Sequence, residues 1–142
     1  MQQKSVLICF VPDFAQAQTW RLLLTLDRLW TTMPLSSVPV LVVGDGRRLA
    51  PATHLIQTLR LPFTLLADDG RAVAARYGVP VDTFACFLLD RAGQVVYAQQ
   101  FPSVATLRIH DLHAAAERLA PPRGRSRTTP SAWQQAVQMA HA

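Results

Sequence analysis

Residues 6–11 form an unbroken apolar run that stops at Pro12-Asp13. A β-branched and aromatic run of this length predicts a strand covered on both faces. Over 14–30 the period changes: Leu22, Leu26 and Leu29, and beside them Leu23, Leu26 and Trp30, recur at helical spacing. Asp13 is placed to cap that helix. A second apolar run over 38–43 closes at Gly44-Asp45-Gly46, and Pro51 suits the first turn of a helix reaching about Leu59. Residues 61–66 read as a short strand. Asp68-Asp69-Gly70 then turns the chain into a helix over 71–77 that Gly78 ends. Runs at 84–89 and 94–99 flank Asp90-Arg91-Ala92-Gly93, a hairpin turn, and a last helix covers 104–119.

The order is β-α-β-α-β-α-β-β-α, the third strand being short. Alternation predicts α/β layers, and the late hairpin makes the sheet mixed. No internal repeat is visible. From Pro121 the pattern stops: 121–130 is rich in Pro and Arg and reads as a linker, and 131–141 as a short helix with Ser131 as cap. The expected organisation is one domain over 1–120 and an extension over 121–142. An isolated helix of that length is marginal, so Trp133 within it reads as a docking contact, in this chain or between subunits.

Composition changes this picture little. The 142 residues are half apolar, with 14 Lys plus Arg against 9 Asp plus Glu. Arg123, Arg125 and Arg127 stand in the extension with no acid beside them, so much of the excess charge lies outside the expected domain. With no aromatics interleaved, nucleic acid is not the expected partner. No apolar stretch is long enough to span a membrane. The first apolar run lacks a small-residue cleavage site, so it reads as a strand rather than a leader, and the cytoplasm is the expected location.

Several strings in order carry a resemblance. Val11-Pro12-Asp13-Phe14, Leu61-Pro62-Phe63-Thr64-Leu65-Leu66-Ala67-Asp68, Arg71-Ala72-Val73-Ala74-Ala75-Arg76-Tyr77-Gly78-Val79 and Phe87-Leu88-Leu89-Asp90-Arg91-Ala92-Gly93-Gln94-Val95 fall at matching places. Together they resemble the peroxiredoxins, the alkyl hydroperoxide reductase and thiol-specific antioxidant branch of the thioredoxin-like proteins, over about residues 5–119. The resemblance implies a three-layer α/β/α thioredoxin-like fold with a mixed central sheet. It also implies a redox, antioxidant chemistry, in which a helix N-terminus and an Arg hold a peroxidatic Cys as the thiolate. Against that pattern Pro12 is kept, Ala15 takes the Thr or Ser position, Gln18 the Cys position, and Phe84 the Arg position before the fourth strand. The standard catalytic set is therefore expected to be missing, and no Cys-x-x-Cys replaces it. The family's N-terminal hairpin is likewise not expected.

Two cysteines are present, Cys9 and Cys86, each in an apolar strand. In a thioredoxin-like fold these strands are antiparallel neighbours, so the sulfurs could meet as a redox pair. Alternatively both are small buried hydrophobes, inert because burial raises a thiol's pKa. Cys86 is the better candidate for chemistry, being nearer the strand end that faces the pocket. His110 and His113 share a helical face, but no further ligand stands near them, so no metal and no cofactor is expected. Asp68-Asp69-Gly70 lacks a calcium loop's alternating oxygens, and Gly44-Asp45-Gly46-Arg47-Arg48 lacks a phosphate loop's Gly-Lys-Ser/Thr.

Two readings stand. The first is a non-catalytic binding or subunit module, using an apolar floor of Phe10, Phe14, Trp20 and Phe84 where the peroxide pocket would be. The second is an atypical thiol peroxidase or thiol-disulfide oxidoreductase using Cys86 or Cys9. Expected partners are a second copy of the chain or a redox or other protein.

Overall fold

The computed structural model describes residues 5–31 and 38–119. β1 is Val6–Phe10, β2 Val40–Gly44, β3 Phe63–Ala67, β4 Phe84–Leu89 and β5 Val95–Phe101. They form one five-stranded sheet in the order β3-β2-β1-β4-β5. β1 pairs with β2, and β2 with β3, in parallel; β1 with β4, and β4 with β5, run antiparallel. The helices are α1 Ala17–Thr31, α2 Leu49–Leu59, α3 Ala72–Arg76 and α4 Ile109–Leu119. This is a thioredoxin-like α/β fold with a mixed sheet, as the element order predicts.

Strand alternation divides the core in two. Leu7 and Cys9 of β1 join Leu22, Leu23 and Leu26 of α1, Ile56 of α2 and Leu112 of α4 on one face. Val6, Ile8 and Phe10 face the other way, toward Ala74 of α3, Val79 and Phe87. There Phe10, Tyr77 and Phe87 form a ring cluster, with centroids 4.9–5.7 Å apart. β1, β2 and β4 are buried along their whole length, which explains their unbroken apolar runs.

Two helix starts differ from the sequence pattern. α1 begins at Ala17 rather than Phe14, because Asp13 closes a turn before the helix instead of capping it. Its Oδ1 accepts from the Ala15 N–H at 2.8 Å, and its carbonyl accepts from Thr19 Oγ1 at 2.6 Å. In the last helical stretch a 3-10 turn, Val104–Thr106, precedes α4 and is separated from it by extended Leu107. The turns expected at Gly78 and Gly93 are present, both residues adopting positive φ. Residues 121–142, including Trp133, lie outside the described residues.

Candidate active site and its substitutions

The parallel strands β1, β2 and β3 point their carboxyl ends at one edge of the molecule. There the connection out of β1 leads to β2 on one side, while β4 enters on the other. Crevices in open α/β sheets form at such a reversal. A cleft of about 50 Å³ occupies it, with Pro12, Asp45, Asp68, Arg71, Asp82 and Thr83 among its polar and turn residues. That is room for roughly three waters or a ligand of similar size. Gly44 at the end of β2 keeps the crevice narrow: a Cβ there would lie 2.9 Å from a Val11 methyl and 3.1 Å from the Phe14 ring.

The rim is held by side chains spent on the backbone. Asp68 is buried, and its two carboxylate oxygens accept from the Val73 and Ala74 N–H groups at 2.9 and 2.8 Å, opening α3. Arg71 donates to the Val79 carbonyl and closes the far wall. Arg71 and Asp82 both sit at φ 58°, a left-handed conformation that side chains seldom adopt. The Arg47 side chain and N–H hold the half-buried Asp45 carboxyl below the usual carboxylate range.

The positions assigned from the resemblance need one correction. A spacing of Pro-x-x-x-Thr/Ser-x-x-Cys counted from Pro12 falls on Gln16 and Thr19, one residue past Ala15 and Gln18. Ala15 is exposed and contributes its N–H to the Asp13 turn. Gln18 Oε1 accepts from the Val104 N–H at 2.9 Å, tying α1 to the turn before α4. Thr19 has no exposed surface, and its hydroxyl is committed to the Asp13 carbonyl. Phe84 is a core residue stacked on Phe101, with ring centroids 5.6 Å apart and planes 9° from parallel.

The expected apolar floor is not open. Phe10, Phe14 and Phe84 are each no more than 2% exposed, and Trp20 is half-buried with its Nε1 donating to the Phe14 carbonyl. Phe10 and Phe84 are buried because β1 and β4 are covered on both faces, and Phe14 packs into the core from the turn before α1.

Cys9 and Cys86 are exact register partners across β1 and β4, with Sγ atoms 3.5 Å apart. Neither lines the cleft, and both are fully buried on the α1, α2 and α4 face. The Cys86 thiol, and then burial, push the Cys9 thiol well above its usual range. His113 pairs with Glu117 at 3.0 Å, and the described residues hold no cluster of three His, Cys, Asp or Glu placed for a metal.

No family model matches the chain. Part of it is similar to curated proteins named peroxiredoxin Q, chloroplastic. The one from Populus jackii is 38% identical over 61 residues, covering 36% of this chain and 29% of that protein. The one from Triticum aestivum is 38% identical over 69 residues, covering 42% of this chain and 32% of that protein. The chain thus spans less than a third of the length of these relatives. Over the whole fold, a peroxiredoxin-like protein from Aquifex aeolicus superposes with a TM-score of 0.69 at 18% identity, covering 82% of this chain and 72% of that one. The fold of this chain is similar to that of the peroxiredoxins. The bacterioferritin comigratory protein of Xanthomonas campestris, described for alkyl peroxide reduction, superposes equally well at 19% identity, over 83% of this chain and 81% of its own. Likeness at that identity establishes the fold. Among the described residues, no helix is long and apolar enough to cross a membrane.

The residues that pattern reading missed are Thr19, Arg71, Asp82 and Thr83. Thr19 was within reach of a strict count from Pro12. Nothing local marks Arg71 or Asp82 as left-handed, since turns of that kind favour Gly or Asn.

Proposed function

We propose that this protein is a non-catalytic member of the peroxiredoxin-like group, serving as a binding or subunit module. One observation carries the reading: the chain's two thiols are both fully buried on the sheet face away from the cleft. Thiol peroxidase chemistry needs an accessible thiolate beside a cation; Arg71 lines the cleft, donating to the Val79 carbonyl, but no thiol stands beside it. Thr19 offers a hydroxyl already donated to a carbonyl, and an alcohol does not reduce a peroxide. Phe84 offers no charge. What remains is a small cleft with a polar rim beside Val81, which is 65% exposed.

That combination suits recognition of a protein surface, a second copy of this chain or a redox partner, better than turnover. A partner can place one apolar side chain on Val81 and polar groups against Asp82 and Thr83 at the rim. The cytoplasmic location expected from the sequence goes with this reading, since thiols at contact distance stay reduced there. The test compares the native protein with free cysteine for peroxide consumption under excess thiol reductant. Turnover no faster than free cysteine is expected. Sustained turnover well above that rate, abolished by Cys86→Ala or Cys9→Ala, overturns the reading and restores the thiol peroxidase.

A further inference from the structure

In the module reading the buried Cys9 and Cys86 pair does no chemistry, and its geometry invites a separate role. The residues lie directly opposite each other in the antiparallel β1–β4 ladder, 77 positions apart in sequence. Opposed residues in such a ladder have Cα atoms about 4.5 or 5.5 Å apart, according to the pair type. Both spacings lie within the range of about 4.4–6.8 Å that disulfides span. The sulfurs are 3.5 Å apart, and a bond of about 2.05 Å needs them to close by roughly 1.5 Å through side-chain torsion. The backbone is already in place.

We propose that Cys9 and Cys86 form a cross-strand disulfide when the protein meets a hydroperoxide, latching β1 to β4 beneath the cleft. The latch acts where the cleft's walls begin. β1 continues through Phe10 and Val11 to Pro12, while Asp82 and Thr83 lead into β4, and these five residues line the crevice. The next register pair is Phe10 with Ala85. A covalent tie at Cys9–Cys86 therefore stands one pair below the opening.

The chemistry balances in two steps. One thiolate sulfur attacks a peroxide oxygen, the O–O bond breaks, and an alcohol leaves, giving a sulfenic acid. The neighbouring sulfur attacks that sulfenic sulfur, the S–O bond breaks, and water leaves with the second thiol proton. Two thiols are oxidised by two electrons, and one hydroperoxide is reduced to alcohol and water. Burial and a protonated Cys9 make the first step wait for opening of the sheet, so the reaction is slow and runs once. Slow oxidation by one equivalent distinguishes a latch from peroxidase turnover, so this proposal and the module reading fail separately.

The experiment exposes the native protein to hydrogen peroxide for hours, follows intact mass, and maps the peptides without reduction. Expected are loss of two hydrogens, a linked Cys9–Cys86 peptide, a monomer on a non-reducing gel, and reversal by dithiothreitol. The oxidised form should melt roughly 10 °C higher, because the bridge closes a long loop in the unfolded chain. Cys86→Ala should abolish the mass loss. Sulfinic or sulfonic acid on one sulfur, a bridge between two chains, or two free thiols at a temperature where β1 amides exchange would overturn the proposal. So would a clean internal disulfide that leaves the melting temperature unchanged.

Discussion

Replacing Asp68 with Ala removes both acceptors that open α3. This helix has only five residues, Ala72–Arg76, far too few to persist without tertiary support. Its first turn is held by the Asp68 carboxylate, 2.9 Å from the Val73 N and 2.8 Å from the Ala74 N. Loss of a side-chain cap costs about 0.5–2 kcal/mol. The Ala74 N–H is buried in addition, and a buried donor left without a partner costs about 1–3 kcal/mol. These overlap, so the expected destabilisation is about 2–4 kcal/mol. Asp68→Asn keeps one acceptor oxygen and should cost about half as much. Urea unfolding followed by tryptophan fluorescence measures both variants. Amide exchange at Val73 and Ala74 should rise in parallel, since the wall of the cleft formed by Arg71 and Ala74 loosens with the helix. A cost within about 0.5 kcal/mol for Asp68→Ala would refute the argument, because that is the range of substitutions on an indifferent surface.

Three other outcomes are expected. Thr19→Val keeps the shape of a fully buried residue but leaves the Asp13 carbonyl without its donor, and should lower stability by about 1–2 kcal/mol in thermal unfolding; no loss would mean that the hydroxyl does not hold the entry to α1. Phe84→Arg, which supplies the cation that the resemblance calls for, should yield little folded protein and no peroxidase activity, because it buries a charge against Phe101; a soluble, cooperative variant by circular dichroism would count against this placement. Burial raises the Tyr77 phenol above its ordinary value of 10.0, so the folded state favours the neutral ring. Its contribution is whole below that value and is lost as pH rises through the raised one, so Tyr77→Phe should flatten the alkaline limb of stability measured by denaturant titration. An unchanged limb would assign the alkaline loss elsewhere, for instance to Tyr97, whose phenol burial also raises.

Much of the fold was legible in the chain because its elements are dictated by local periodicity. Unbroken apolar runs gave β1, β2 and β4 since each is buried on both faces, and Asp90 with Gly93 marked the hairpin, where Asp90 Oδ1 accepts from the Ala92 and Gln94 N–H groups. Element boundaries moved where local interactions competed with the pattern, by three residues at α1, where Asp13 closes a turn first, and by five at α4, where a 3-10 turn intervenes. The likeness to peroxiredoxins was legible too, in short strings that fall in order along the chain.

Tertiary structure alone decided what the site residues do. Gln18 looks in the sequence like a substituted catalytic position, and its work is a hydrogen bond to Val104, 86 residues away. Phe84 looks like part of an open floor, and the strand from which it projects carries it into a stack with Phe101. Arg71 and Asp82 shape the cleft through backbone conformations that no residue type announces. Cys9 and Cys86 were neighbours in expectation, but their distance depends on the register of two strands far apart in the chain. Periodicity records which face of an element is buried, whereas register and loop closure arise from contacts between elements, which local sequence does not encode.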